Sequence, residues 1–290
     1  MEIKNSSLLT YCETKIVKVI DFHLHIGPVE NFTPCVQDYF RTHNPHDCER
    51  FAKRVTTEEI IELLKLHHVD RGVMLSEYAP KCTGVVTNED TAAFCSGHEE
   101  LIPFGALCFY DNTPYEEQAR YAVEKLGMKG FKLLPSYQFF YPNDPALFPF
   151  YDFAQSMGLP VMFHTGASIF KNTRIKYADP FLLDDVANEF PDLTIIMEHG
   201  GRPFWYDRAE WLITRHENMY VGTAGIPVRH LPKHFPNLEQ YGDRFIFGSD
   251  WPGMADIKGL ITRVLDLPVS EETKDMILHK NAVRILSQAK

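Results

Sequence analysis

Short apolar runs recur along the chain, and each one closes on Gly, Pro or a polar residue. They are rich in β-branched and aromatic residues, which is typical of parallel strands buried on both faces. The runs cover residues 16–27, 69–78, 101–110, 129–135, 159–166, 193–201, 219–225 and 244–252. The pattern therefore predicts eight strands.

Segments with helix punctuation separate these runs. Thr56 and Glu59 form a capping-box pattern at the start of residues 56–68, and Ser270 is placed to cap a last helix over 270–286. Further helices are expected after Thr113-Pro114, after Asp144-Pro145, after Asp179-Pro180 and over 205–218. Repeated strand–helix alternation indicates a parallel sheet.

Eight such strands close a barrel, so the expected fold is α/β, a (β/α)₈ TIM barrel. A doubly wound open sheet is the alternative, but the first strand ends in HLHIGP rather than in a Gly-rich phosphate loop. We expect one domain over residues 1–290. Residues 28–55 form a long insertion after the first strand, which we interpret as a lid or a substrate-contacting segment.

Composition narrows the choice of partners. The 290 residues are 44% hydrophobic and 23% charged, as in ordinary globular proteins, and the formal net charge is −10. An acidic chain is a poor match for nucleic acid or an anionic membrane, so a small-molecule substrate is expected. The six cysteines form no CxxC pair, and the first 15 residues lack an apolar leader core, which together favour a cytoplasmic protein with reduced thiols.

The first strand carries the strongest candidate chemistry. Asp21, His23 and His25 alternate with apolar residues, and alternating side chains share one face of a strand. Two histidines on one face can bind a single metal ion through ring nitrogens. Asp21 is then placed to orient one of these ligands.

Three other strand ends supply matching groups. His164 ends the fifth strand, His199 the sixth, and Asp250 follows the eighth. Active sites of such barrels lie at the C-terminal ends of the strands, so these side chains are expected to converge with His23 and His25. The pattern predicts a bound divalent metal.

Lys132 on the fourth strand admits three interpretations. An unpaired ammonium inside a barrel is costly. The amine is therefore carbamylated to give a bridging carboxylate, or paired with an acid such as Asp21, or used to hold a substrate carboxylate. Weaker substrate-contacting candidates lie at the rim of the barrel. They are Glu77, Tyr137, Arg174, Arg202 and Trp205.

Taken in order along the chain, these motifs resemble the amidohydrolase superfamily, and within it the amidohydrolase-2 branch. The matching segments are DFHLHIG (21–27), GFKLLP (130–135), FHTG (163–166), EHGGRP (198–203), GSDWP (248–252) and NAVRIL (281–286). The branch contains metal-dependent hydrolases of amides and lactones. It also contains decarboxylases similar to aminocarboxymuconate-semialdehyde decarboxylase, and its members are often homodimers.

The resemblance implies two ligand patterns. In the mononuclear pattern His23, His25, His164 and Asp250 hold one ion, and His199 is an acid/base or substrate-polarising group. In the binuclear pattern a carbamylated Lys132 bridges two ions, and His164 and His199 hold the second. Zinc is the expected metal, with manganese, iron and nickel as alternatives.

Hydrolysis of a small amide, ester or lactone is the leading hypothesis, with Asp250 as the general base and His199 beside the carbonyl under attack. Non-oxidative decarboxylation of an aromatic or muconate-type acid is the alternative. A binding barrel without turnover is the third interpretation.

Overall fold

The computed structural model describes residues 17–50 and 55–290, with the side chains of 48–50 left out. Cys12, the N-terminal segment and residues 51–54 of the expected lid lie outside the described residues. Eight parallel strands follow the eight apolar runs. They are β1 (Ile20–His25), β2 (Arg71–Leu75), β5 (Leu101–Phe104), β6 (Phe131–Leu133), β7 (Val161–His164), β8 (Ile195–Glu198), β9 (Met219–Gly222) and β10 (Phe245–Ile246).

These strands pair in the order β1-β2-β5 and β6-β7-β8-β9-β10. Backbone contacts join the two groups at both seams. Gly105 pairs with Phe131 at one seam, and Lys132 N donates to the Gly105 carbonyl at 2.7 Å. At the other seam, Phe22 N donates to the Phe247 carbonyl at 2.9 Å. The chain is an α/β TIM barrel, as its apolar pattern predicts.

Helices cover the outside of the barrel. The α-helices and one π-helical turn span Pro34–His43, Pro45–Arg50, Thr57–Leu66, Asn88–Cys95, Tyr115–Glu124, Pro135–Gln138, Phe148–Ser156, Leu182–Glu189, Tyr206–Arg215, Leu231–His234, Ile257–Leu265, Glu271–Asp275, Met276–Lys280 (π) and Asn281–Leu286. In the described part of the chain, 3₁₀ turns span Val29–Asn31, Pro145–Leu147, Ile175–Tyr177, His199–Gly201, Val228–His230 and Gly242–Arg244. Within the described residues, no helix has the length and apolarity needed to cross a membrane.

Two predicted caps are present. The Thr56 hydroxyl accepts from Glu59 N, and the Glu59 carboxylate accepts from Thr56 N. Ser270 accepts from Thr273 N, but the helix it starts is interrupted by the π turn at Met276–Lys280. An antiparallel hairpin of β3 (Glu77–Ala79) and β4 (Gly84–Val86), which no pattern predicted, follows the C-terminal end of β2.

The core has two layers. Apolar side chains of the inner layer fill the barrel, and those of the outer layer pack between the strands and the helices. Phe22 belongs to the inner layer. Leu24, only two residues later, belongs to the outer layer. The pairing register of β1 shifts between Asp21 and Leu24. Such a bulge switches the face on which following side chains lie. The expectation that Asp21 shares a face with His23 and His25 is therefore wrong.

Candidate metal centre

The C-terminal ends of the strands bring most of the predicted site residues to one cavity. Its polar lining consists of His23, His25, Glu77, Thr83, Lys132, Tyr137, His164, Ser168, His199, Arg202 and Asp250. Two predicted rim residues, Trp205 and Arg174, are not among the described residues that line it. Trp205 lies under the Arg208 guanidinium, and the exposed Arg174 lies over the ring of Phe139.

His23, His25 and Asp250 form the tightest cluster. The two histidine Nε2 atoms are 3.1 Å apart, and Asp250 Oδ1 lies 3.5 Å from the first and 3.6 Å from the second. Ligand atoms held at about 2.0–2.1 Å around a tetrahedral ion lie roughly 3.3 Å from one another. The spacing therefore matches three ligands of one ion.

A carboxylate lies behind each of these two rings. Glu198 Oε2 is 3.1 Å from His23 Nδ1, although the ring N–H is not well aligned with it, and Glu77 Oε2 is 3.6 Å from His25 Nδ1. Acceptors there favour the proton on Nδ1 and leave a lone pair on each Nε2. Two lone pairs facing each other at 3.1 Å are unfavourable unless a cation lies between them. The pair of rings therefore fits a metal ion.

His164 and His199 form a second pair beside the first. Their ring centroids are 4.5 Å apart. His199 Nδ1 lies 2.7 Å from the Ala224 carbonyl, to which it donates, so that Nε2 is free of the proton. His164 Nε2 is buried without a hydrogen-bond partner in the described part of the chain. An orphaned ring nitrogen of this kind also fits a metal ligand.

The site favours neutral imidazoles. Burial lowers the pKa of His23 to about 4, helped by the charge on Lys132 and opposed by Glu198. Burial likewise holds the pKa values of His164 and His199 well below their usual range. A histidine must be unprotonated to bind metal, so these rings are ready for it at neutral pH.

Asp250 behaves in the opposite way. Burial alone would raise its pKa, but the neighbouring His25, His23, His199 and Arg202 side chains hold that pKa well below the usual range. Its Oδ2 lies 3.7 Å from Arg202 Nη2, on the side away from the histidine cluster. Asp250 is thus an anion with one oxygen directed at the cluster and the other beside a cation.

The backbone holds two of these groups in a sparsely populated conformation. His199 and Asp250 both have φ of 67°. A left-handed backbone is strained in a residue other than glycine, and residues held in it concentrate at functional sites. His199 follows directly on β8, and Asp250 lies four residues after the end of β10.

Lys132 is inside the barrel and only 1% exposed. Its Nζ lies 3.4 Å from Met162 Sδ, and no ion pair within 4 Å is found for it among the described residues. Burial lowers its pKa to about 8, against the attraction of Glu198, Asp250 and Glu77. Pairing with Asp21 is therefore wrong: among the described residues, the Lys132 amine lies at the cavity without a carboxylate in ion-pair contact.

Several lining residues carry no sequence signal that points to a site. Phe32, Val36 and Phe40 pack with Val86 into a cluster over the cavity, and Tyr39 and Phe170 contact it. We call the residues Phe32, Val36, Tyr39, Phe40, Ile169 and Phe170 the roof. Four of them come from the expected lid. Glu198 could have been recognised, because it is a charge within the buried run IIME.

The chain belongs to the amidohydrolase family. The family model described as Amidohydrolase (Amidohydro_2) matches residues 20–288. This match places the chain in the amidohydrolase-2 branch, whose enzymes are metal-dependent and include hydrolases and decarboxylases. A search of curated proteins found no match.

Solved structures share the fold. An uncharacterized TIM-barrel protein from Bordetella bronchiseptica is 24% identical, with a TM-score of 0.77, covering 93% of this chain and 99% of that one. A dihydroxybenzoic acid decarboxylase from Polaromonas sp. JS666, with bound manganese and the inhibitor 2-nitroresorcinol, is 17% identical, with a TM-score of 0.68, covering 93% and 97%. A probable 2-pyrone-4,6-dicarboxylic acid hydrolase from Acinetobacter baumannii, with citric acid bound, is 16% identical, with a TM-score of 0.65, covering 93% and 99%.

Proposed function

We propose that this protein is a metal-dependent hydrolase that cleaves a small amide, ester or lactone with an activated water. The observation that carries the proposal is the convergence of His23 Nε2, His25 Nε2 and Asp250 Oδ1 at 3.1–3.6 Å on the floor of a cavity. Three protein ligands would leave the fourth position of a tetrahedral ion for water or substrate, and with His164 as a further ligand the ion would need a fifth position for it.

A divalent ion held by His23, His25, Asp250 and His164 would supply Lewis acidity and lower the pKa of water toward about 7. The residues of the chain then manage protons and charge. Asp250 is ionised, and its carboxylate can accept the proton of the attacking water. Asp250 can then pass that proton to the leaving group, and His199, whose Nε2 is unprotonated, lines the same cavity.

The rest of the cavity selects the substrate. Arg202 provides a fixed cation beside Asp250, and the aromatic residues of the roof provide apolar contact. The empty space, including the part that opens to solvent, is about 650 Å³. A cavity of this kind suits a small molecule with one apolar face and one anionic group.

Decarboxylation is the second candidate, and one feature favours it. Arg202 and Lys132 put two cationic side chains around the same cavity, where a substrate carboxylate can be held. The solved decarboxylase that shares the fold binds 2-nitroresorcinol and manganese. In this reaction His199 or Asp250 would first take a proton from water or from a substrate hydroxyl and then deliver it to the carbon that loses carbon dioxide.

Elemental analysis of protein prepared without chelator is the first test. Two ions per chain, lost in Lys132→Ala, would support a carbamylated Lys132 and a binuclear hydrolase. One ion would support the site of His23, His25, His164 and Asp250. No ion, even after zinc or manganese is added back, would overturn the proposed metal site.

A substrate panel separates the reactions. Esters, lactones and amides are assayed for hydrolysis, and aromatic and muconate-type acids for carbon dioxide release. Hydrolysis that needs the metal supports the first candidate, and metal-dependent carbon dioxide release supports the second. Metal binding without turnover on either panel would favour a binding barrel.

A further inference from the structure

Glu198 is a carboxylate buried inside the barrel at 1% exposure. Both of its oxygens are engaged. Oε1 accepts from His199 N and from Ala224 N, each at 3.2 Å, and Oε2 faces His23 Nδ1 at 3.1 Å. Anchoring by two backbone N–H groups fixes where the carboxylate can point.

The neighbouring strand leaves room for this side chain. A Cβ at Gly222 on β9 would overlap the Glu198 carboxyl group. The backbone of Gly222 is not left-handed, so its conformation does not require glycine. Glycine is needed here because any side chain would occupy the space of the Glu198 carboxyl group. β8 and β9 together form a slot that fits a carboxylate.

The contacts of Glu198 reach two parts of the site. On one side is His23, a candidate metal ligand. On the other side is His199, whose backbone N–H donates to the Glu198 carboxylate. Ala224 links the two residues a second time: its N–H donates to the same carboxylate, and its carbonyl accepts from His199 Nδ1. Moving the carboxylate would therefore disturb a ligand and the candidate acid/base group together.

We propose that Glu198 is the positioning residue that sets the orientation and tautomer of His23 for metal binding and, through Ala224, the placement of His199. The inference rests on the metal site of the proposed function but not on the reaction. Glu77, the carboxylate behind His25, is less firmly built in: it lies 3.6 Å from the ring and binds the Thr83 hydroxyl.

Glu198→Gln is the direct test, because an amide has one acceptor oxygen where the carboxylate has two. If that oxygen stays with the two backbone N–H groups, the NH₂ group faces His23 Nδ1. A donor there favours the proton on Nε2, the nitrogen that must bind the metal. We expect zinc affinity, measured by chelator competition, to fall about 10- to 100-fold.

Asp21→Asn is the matched control. Asp21 is equally buried, but a single oxygen, Oδ1, accepts from both His23 N and Ser249 N. Asparagine can keep both bonds, and no histidine ring within 4 Å faces this carboxylate among the described residues. We expect its zinc affinity to stay within about threefold of wild type, since orienting groups matter through the ring they bind.

A second variant keeps the test valid if Glu198→Gln does not fold. Gly222→Ala keeps the Glu198 carboxylate chemically intact but pushes it out of its position. This variant should also lower zinc affinity. The absorption spectrum of bound Co²⁺ should change in both variants, because it reports ligand geometry rather than stability. Wild-type zinc affinity and Co²⁺ spectrum in both variants would overturn the inference. Failure of the wild-type protein to bind zinc would instead overturn the proposed metal site.

Discussion

The floor of the cavity and its roof are built in different ways, the floor being the polar residues His23, His25, Lys132, His164, His199 and Asp250. On the floor, side chains such as His23 and Asp250 come from strand ends and have a second group that holds them, whether a carboxylate, a carbonyl or a cation. The roof is held by apolar and aromatic packing, and Ile169 in it is 70% exposed. A floor with fixed polar groups suits bond making, whereas an adaptable apolar roof suits choice of substrate.

The largest effect is expected on the floor, from Asp250→Asn. The amide keeps the shape but loses the negative charge and the ability to take a proton from water. Turnover should fall on the order of 10³-fold, the scale of general acid–base catalysis, with the fold intact by circular dichroism. Asp266→Asn changes an exposed carboxylate at the end of the helix Ile257–Leu265 and should leave turnover unchanged. Near-normal turnover in Asp250→Asn would remove Asp250 from the mechanism.

A second change on the floor, Lys132→Met, tests whether the buried amine lowers the stability of the folded protein. The test is the pH dependence of that stability. Burial lowers the pKa of Lys132 to about 8 in the folded protein, from the ordinary value of 10.5 that it has in the unfolded chain. Below pH 8 the lysine is charged in both states, and the folded state bears the full cost of burying the charge. As pH rises from 8 toward 10.5, the folded protein releases the proton first, so the wild type gains stability and the cost fades.

The advantage of Lys132→Met over the metal-free wild type should therefore shrink by about 2 kcal/mol between pH 7 and pH 9.5. Urea unfolding in the presence of chelator measures it at both values. Lys129→Met, on the loop just before β6, is the control and should show no such change. A constant difference across this range would mean that Lys132 is not held as a strained, buried cation.

The Arg202 side chain lines the cavity beside Asp250. Arg202→Met tests whether the substrate carries an anionic group that this cation holds. Loss of a charge-assisted contact costs about 1.5–3 kcal/mol, so KM should rise about tenfold or more while zinc affinity changes little. Arg208→Met removes the same charge outside the cavity, where the guanidinium pairs with Asp179. An unchanged KM in Arg202→Met would show that the substrate has no anionic group at this position.

Much of the fold follows from local patterns in the chain. The eight strands could be predicted because each is a short apolar run between turn residues, and the Thr56 cap because its partner Glu59 is three residues away. The convergence of the histidines followed from the rule that sites lie at strand ends. These signals are carried by residues close together in sequence.

Other parts depend on contacts between distant segments, which one sequence does not show. The bulge that turns Asp21 away from the His23 ring depends on how β1 pairs with β2. The roof depends on packing of Phe32 and Val36 against Val86, about 50 residues away. Trp205 and Arg174 were expected at the cavity because they follow strand ends. They lie outside it, under Arg208 and over Phe139 respectively, because their side chains are placed by contacts that the sequence does not show.

The smallest effect is expected in the roof, from Phe170→Ala. Phe170 lines the cavity and meets the ring of Tyr39 edge to face, with centroids 5.4 Å apart. Because it is only partly buried, its loss should raise KM about three- to fivefold, on the scale of 1 kcal/mol for a partial apolar contact. Zinc affinity and kcat should stay near wild type, since no ligand depends on this ring. Phe181→Ala, outside the cavity, should change none of these quantities. A large fall in kcat or zinc affinity in Phe170→Ala would mean that roof and floor act together rather than dividing chemistry from substrate choice.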